Sequence, residues 1–354
     1  MTTSDLNSPE TSTQPAAAPS TAAEQFALRR HSPVQRIQHV LHSHPAISPF
    51  LVLIVSAVVF SLISENFASA RTMSLLFQQV AVIAALGIGQ TLVILTAGID
   101  LSVGAITILA MLLAANLAKD NGIPGILGIL VGIAVGAACG LLNGLLITRL
   151  NLPPFIVTLG TLSIFTALAL LYSGGLSVQA SQLPDSMNAL STVVPLGQFR
   201  ITTGVLVVAL LAVVMAFVLS QTSWGRHVYS VGNDPEASRL VGIRVNRVLL
   251  SVYLTAGVIY GITAWVLIGR AGVASPNAIV DANLQSITAV VIGGTSLFGG
   301  RGAILGTILG ALIVGCFQFG LSLAGVNDQW RVLTVGVLII VAVAIDQWIR
   351  KVKV

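Results

Sequence analysis

Few side chains in this sequence could do chemistry, and their spacing argues against catalysis. The five histidines are His31, His39, His42, His44 and His227, and four of them crowd near the N-terminus. No Ser/His/Asp set, paired carboxylates or H-x-x-x-H spacing stands in a plausible setting for acid, base or nucleophile. Cys139 and Cys316 lie far apart inside apolar runs, the setting of small packing residues rather than of a disulfide or metal framework. The glycine-rich run Ile292–Gly302, IGGTSLFGGRG, superficially resembles a phosphate loop. The chemistry fails, because G-x-x-x-x-G-K-[ST] needs a lysine for the phosphates and a hydroxyl for magnesium, and Gly300 and Arg301 stand there instead. The chain has three lysines (Lys119, Lys351 and Lys353), and none follows a glycine. No catalytic residue, cofactor or metal is expected.

Two polar features remain. Asp100 is the one acid in the apolar stretch Val80–Ala118. An ionisable residue at membrane depth marks a functional site by default. The run Gly98-Ile99-Asp100-Leu101-Ser102-Val103 also reads as a helix break, with Gly98 ending one helix and Asp100 capping the next near Val103. The two readings are compatible, since broken helices at depth are tolerated where they line a cavity. Asp100, Ser102, Asn143, Thr158 and Thr295 form the candidate substrate path, although Asn143 fits an interhelical hydrogen bond better than a ligand contact. The second feature is the island Trp224–Arg247, dense in both charges. Within it, 233–243 reads as a short helix. Asn233 or Asp234 caps it, Pro235 takes the first turn, Glu236 suits the N-terminal end of the dipole, and Gly242 ends it. Leu240 and Ile243 are its candidate apolar anchors for docking into a partner's groove.

The elements that hold these features are membrane helices. Of 354 residues, 55% are hydrophobic and 8% charged. A soluble domain carries about 25% charged residues. The 34 glycines suit closely packed spans. A net charge of +5 is explained by basic residues at span ends rather than by nucleic acid. Ten apolar segments are predicted, at roughly 49–64, 79–98, 101–118, 123–148, 154–173, 202–220, 248–268, 285–298, 303–323 and 331–348. The eighth is short enough to dip in without crossing. Ten crossings place both termini on one side. Only Arg71, Lys119, Arg200, Arg270 and Arg331 then fall on the other side, leaving 12 of the 17 basic residues with the termini. That bias puts the termini and the island in the cytoplasm. The fold class is therefore an all-α polytopic membrane protein.

Residues 1–31 are a Ser/Thr/Pro/Ala tail expected to be disordered, with no cleavable signal peptide. Residues 32–44 read as an amphipathic helix on the membrane surface. The membrane domain spans 45–350, with a cytoplasmic loop at 221–247 and an outward loop at 174–200. The outward loop reads equally as plain surface or as a place to meet a partner and shape an entrance. Gly128, Gly132, Gly136, Gly140 and Gly144 make a small-residue face for close helix packing. The 293–302 run faintly echoes 98–106, as an internal repeat would.

Four runs in order carry a family resemblance: LTAGIDLSVG at 95–104, NLPPFIVTLGT at 151–161, WGRHVYSVGNDPEASRLVGIRV at 224–245 and VIGGTSLFGGRGAILGT at 291–307. With their spacing they cover about residues 45–350. The chain resembles the permease subunit of a bacterial ABC importer of the ribose/xylose/fructose type. The resemblance implies a homo- or heterodimer of such subunits in the inner membrane, two cytosolic ATP-binding subunits and a periplasmic sugar-binding protein. It also implies that Gly232–Gly242 plugs into the ATPase, through Gly232, Asn233, Asp234, Pro235, Glu236, Ala237, Arg239, Leu240 and Gly242. Energy would then come from another chain, and alternating access would carry the sugar. An ion-coupled secondary transporter is the competing reading. It usually needs buried acids or histidine relays, and Asp100 is almost alone at depth. A membrane-bound enzyme is disfavoured by the missing catalytic set.

Overall fold

A computed structural model describes residues 47–279 and 281–350. The tail 1–31 and the surface helix expected at 32–44 lie outside the described residues, as do Lys351 and Lys353. The described chain is mostly helical. In order, the helices are α1 (Ile47–Ile63), α2 (Ala70–Leu95), α3 (Val103–Asp120), α4 (Gly125–Arg149), α5 (Pro154–Ser173), α6 (Thr203–Gln221), α7 (Ser223–Asn233), α8 (Pro235–Leu240), α9 (Val245–Ala271), α10 (Ala282–Ile292), α11 (Ile304–Leu323) and α12 (Asp328–Arg350). Seven of them, α2 to α6, α9 and α11, are long and apolar enough to cross a bilayer. Each of the ten predicted segments overlaps a helix. The chain is a polytopic helical membrane protein.

Two boundaries moved, each for a physical reason. The sequence reading opens the second segment at residue 79, after the polar residues Arg71, Ser74, Gln78 and Gln79. Helix α2 begins at Ala70, where the Ser69 side chain caps it by accepting from the Thr72 N–H. The polar groups of its first turns are bonded by the segment ahead of α6. Ser74 Oγ accepts from the Arg200 N–H at 2.9 Å, and Gln78 Nε2 donates to the Arg200 carbonyl at 3.2 Å. Helix α10 stops at Ile292 after 11 residues, about 16 Å of rise and well short of a bilayer.

The burial pattern ranks the helices. In α2, 89% of the most apolar window is buried, against 22% in α6. Helix α2 is thus the central post and α6 a peripheral one. Helix α9 is also largely buried and packs on α4 through glycines. The glycine face of α4 serves two neighbours. Gly128 and Gly132 lie against the Ala114 and Ala110 carbonyls of α3. Gly136, Gly140 and Gly144 lie against Gly257, Tyr253 and Leu250 of α9. Added methyls on Gly136 and Gly140 would collide with backbone there, which only a helix shift could relieve.

The stretch 174–200 is neither helix nor plain loop. Strand β1 (Val178–Gln179) pairs antiparallel with β4 (Val273–Ala274), and β2 (Val193–Leu196) with β3 (Phe199–Thr202) in a hairpin turned at Gly197. A single helical turn, Asp185–Asn188, lies between them. Trp265 Nε1 of α9 donates to the Met187 carbonyl at 3.1 Å, and Arg270 of α9 donates to Gln79 of α2. This end is a small folded cap.

Candidate functional site

Helix α2 ends in a turn closed by a local pair of backbone hydrogen bonds. The Ala97 N–H donates to Ile94 O at 2.9 Å and the Gly98 N–H to Val93 O at 3.1 Å, the paired bonds of a Schellman cap. The left-handed residue is Ala97, with φ 59°, rather than Gly98. Gly98 is required for a different reason: a methyl there would sit 2.7 Å from the Tyr253 hydroxyl.

Asp100 also differs from its expected role. Its carboxylate does not cap α3 through Val103. Oδ1 accepts from the Ser102 N–H at 2.8 Å and from Ser102 Oγ at 2.6 Å, which closes the turn on itself. Asn143 Nδ2 of α4 donates to Ser102 Oγ at 2.9 Å. Thr158 Oγ1 of α5 donates to the Ile99 carbonyl at 2.9 Å. One buried polar chain therefore ties the α2–α3 turn to α4 and α5. Thr295 stands apart from that chain, on the turn after α10, packed against Gly302. All five path candidates are at most 1% exposed.

The island is two helices, not one. Gly232 and Asn233 complete α7, which starts at Ser223 under the Thr222 side chain, an acceptor for the Gly225 N–H. Trp224 Nε1 bonds Ser251 Oγ of α9 at 2.8 Å, and Tyr229 bonds the Gly302 carbonyl at 2.8 Å. Helix α8 follows, with Asp234 as its cap. Asp234 Oδ1 accepts from the Glu236 and Ala237 N–H groups, both at 3.0 Å, and Pro235 fills the first position. Gly242 at φ 87° closes it, with the Gly242 N–H donating to Arg239 O and the Ile243 N–H to Ser238 O, both at 3.0 Å. Ser238 is buried and shares a 2.9 Å hydroxyl bond with Ser230, pinning α8 to α7. Glu236 and Arg239 pair across one turn at 2.9 Å. Leu240 is 89% exposed and Val241 75%. Ile243 instead packs inward against the core, so Val241 takes the outward place that the sequence reading gave to Ile243.

Three turns from distant parts of the chain interlock here. The Gly300 N–H donates to the Leu95 carbonyl at 2.9 Å. Any Cβ on Gly232 would overlap that same Leu95 oxygen, and one on Gly299 would lie 2.6 Å from the Gly232 carbonyl. Gly300 meets Asn233, where an added methyl would sit 3.0 Å from its Cα. Backbone touches backbone at each point, which only glycine allows. Sequence reasoning found the three motifs but not their meeting, because nothing local says which glycine faces which turn. Trp224 and Tyr229 were also missed. For Trp224 the available signal was its spacing with Val228 and Val231 on one helical face; Tyr229 lies off that face and had no local signal.

The turns that interlock belong to three of the four runs that carried the resemblance, and Thr158 of the fourth is bonded to the first. The family described as "Branched-chain amino acid transport system / permease component" matches residues 72–343, most of the chain. The chain belongs to this family of permease components. Among its relatives, the fructose import permease protein FrcC of Rhizobium meliloti is 48% identical over 340 residues, 94% of each chain. The ribose import permease protein RbsC of Bacillus subtilis (strain 168) is 38% identical over 301 residues, 85% of this chain and 92% of the relative. The D-allose transport system permease protein AlsC of Escherichia coli (strain K12) is 34% identical over 302 residues, 85% and 91% of the two chains. No solved structure matches the chain. For a multi-pass member of this family, the interlocked turns place an exposed two-helix tip directly on the ends of the central spans.

Proposed function

We propose that this chain is the membrane-spanning subunit of an ATP-driven importer that carries a monosaccharide of the ribose, xylose or fructose class across the bacterial inner membrane. Fructose is favoured by the 48% identity to a fructose import permease. The observation that carries the mechanism is the lock between α7 and the two turns, through Gly232, Leu95 and Gly300. The α7–α8 tip offers Leu240, Val241 and the Glu236–Arg239 pair to a groove on a cytosolic ATP-binding subunit. Residues Gly232 to Gly242 are its coupling element. Closure of two such ATPases would push the tips, and the glycine lock would pass the push to α2, α3 and α11 with little loss, because packed backbone has nowhere to yield.

The chain works in this reading as one of two permease subunits, fed by a periplasmic sugar-binding protein, with about ten membrane helices, one of them (α10) short or re-entrant, and both ends in the cytoplasm. The Asp100–Ser102–Asn143 chain, Thr158 and Thr295 are buried beside the lock, so they would border the sugar path only when the helices that the lock couples move apart as rigid units. Alternating access then amounts to opening and closing at this end against the other.

Reconstitution tests the reading. Proteoliposomes holding the permease with its ATPase and binding protein are expected to accumulate labelled fructose or ribose only with ATP inside the reach of the ATPase. Uptake that persists without the ATPase and follows a proton gradient would replace this reading with a secondary transporter.

A further inference from the structure

At the end of the bundle away from the lock, a pocket of about 580 Å3 opens between α2, α10, α11 and α12. Roughly 24 Å of α2 separates its lining residue Gln79 from Leu95 in the lock, at 1.5 Å per residue. Its polar lining is Gln79, Asp281, Gln285, Gln318, Ser322 and Arg331. The volume falls within the ~300–1,000 Å3 range of small-molecule sites. Several hydroxyls in the spans bond back to their own helix, as Thr91 does to Gly87 and Thr263 to Ile259. The amides of Gln285 and Gln318 bond no protein group among the described residues, so their donors and acceptors face the pocket.

The Gln285 and Gln318 amides and the Ser322 hydroxyl offer paired donors and acceptors, the complement of vicinal hydroxyl groups. One acid and one base leave the lining without net charge, which suits a neutral ligand rather than a phosphorylated or acidic one. None of the residues expected to border the substrate path lines this pocket. We propose that the pocket is a vestibule for a neutral monosaccharide, which the sugar enters before it reaches the lock. The proposal rests on the import reading above and adds a site to it. The vestibule gives weak, replaceable hydrogen bonds, so the sugar is held in orientation and released as the bundle rearranges.

The test uses the complete importer in proteoliposomes, with labelled fructose and labelled ribose as probes. Changing Gln285→Leu and Gln318→Leu together removes the amide groups at similar volume. The maximal uptake rate is expected to fall about tenfold, the effect of losing one or two hydrogen bonds in passage. The half-saturating sugar concentration, set by the binding protein, and ATP hydrolysis should stay unchanged. Wild-type uptake by the double variant overturns the proposal. If the double variant does not assemble, Ser322→Cys gives a second route after folding. Ser322 is exposed at the pocket and both native cysteines are buried. A bulky, membrane-impermeant thiol reagent added to the assembled importer should then block uptake by this variant and leave the unmodified chain active. Full uptake after complete labelling overturns the proposal. Failure of the wild-type importer to move either sugar would instead strike the import reading itself.

Discussion

The two ends of this bundle are held together by different kinds of contact. At the lock, Leu95, Gly232, Gly299 and Gly300 meet backbone to backbone, with no side chain between them. At the cap, side chains reach to backbone: Ser74 and Gln78 to Arg200, Trp265 to Met187, Asn188 to Ala180. The first arrangement is stiff and intolerant. Displacing one backbone displaces the next, since interiors at this density have no slack. The second can shift by a rotamer or exchange a bond for water at little cost. A stiff joint suits the transfer of force from the α7–α8 tip, and a compliant cap suits loops that must admit something from outside.

That contrast can be broken most directly at Gly232. A Gly232→Ala change places a methyl on the Leu95 oxygen, and no rotamer relieves it. Overpacking against backbone should cost about 3 kcal/mol or more, and the thermal midpoint in detergent should fall by roughly 10 °C. A midpoint within a degree or two of wild type would mean the lock is looser than its geometry. Deleting Asp234–Gly242 comes next. The spans keep their packing, so the protein should still reach the membrane, while binding of the ATPase subunit is lost. Normal co-purification of the ATPase with this deletion would refute the docking role of the tip. Smaller again is the pair Leu240→Asp and Val241→Asp. Both side chains point away from the fold, so stability should change by less than about 0.5 kcal/mol each. The affinity for the ATPase should drop roughly tenfold or more, as when a buried anchor is lost. Glu236→Lys should weaken binding in the same assay, because it also breaks the pair with Arg239. Unchanged affinity in all three variants would leave the tip without contacts.

Much of the fold was legible in sequence because apolar length is a one-dimensional property. The α5 boundaries match residue for residue, since Pro154 opens the helix and Gly174 closes it with φ 60°. Helix α8 was legible for the same local reason: Asp234, Pro235 and Gly242 are start and stop signals within one turn of their work. What was not legible is what the chain brings together from a distance. Ser102 was assigned to a path, and it lies between Asp100 and Asn143 as the middle of a buried chain. The start of α2 was placed late, and what satisfies its polar residues could not be read locally, because the partner, Arg200, is more than a hundred residues away. Gly98 does help end α2, through its N–H to the Val93 carbonyl, but a glycine is needed there by the Tyr253 hydroxyl and not by its own φ, which sequence could not show.

The smallest expected effect lies at the cap, and it tests the other half of the contrast. Ser74 is buried, and its hydroxyl accepts from the Arg200 N–H while donating to the Ala70 carbonyl at 2.6 Å. Ser74→Ala removes both bonds. The Ala70 carbonyl keeps its place in the helix ladder. Arg200 is exposed, so its N–H can turn to water. The cost should be about 1 kcal/mol, a single net hydrogen bond, with the β2–β3 hairpin pairing intact from Val193↔Thr202 to Leu196↔Phe199. Hydrogen exchange at the Arg200 amide should quicken several-fold while the amides of α7 do not change. ATPase binding should be unaffected. If Ser74→Ala instead slowed ATP-driven uptake as much as the tip variants do, the cap would be part of the force path, and the division between a stiff end and a compliant end would be wrong.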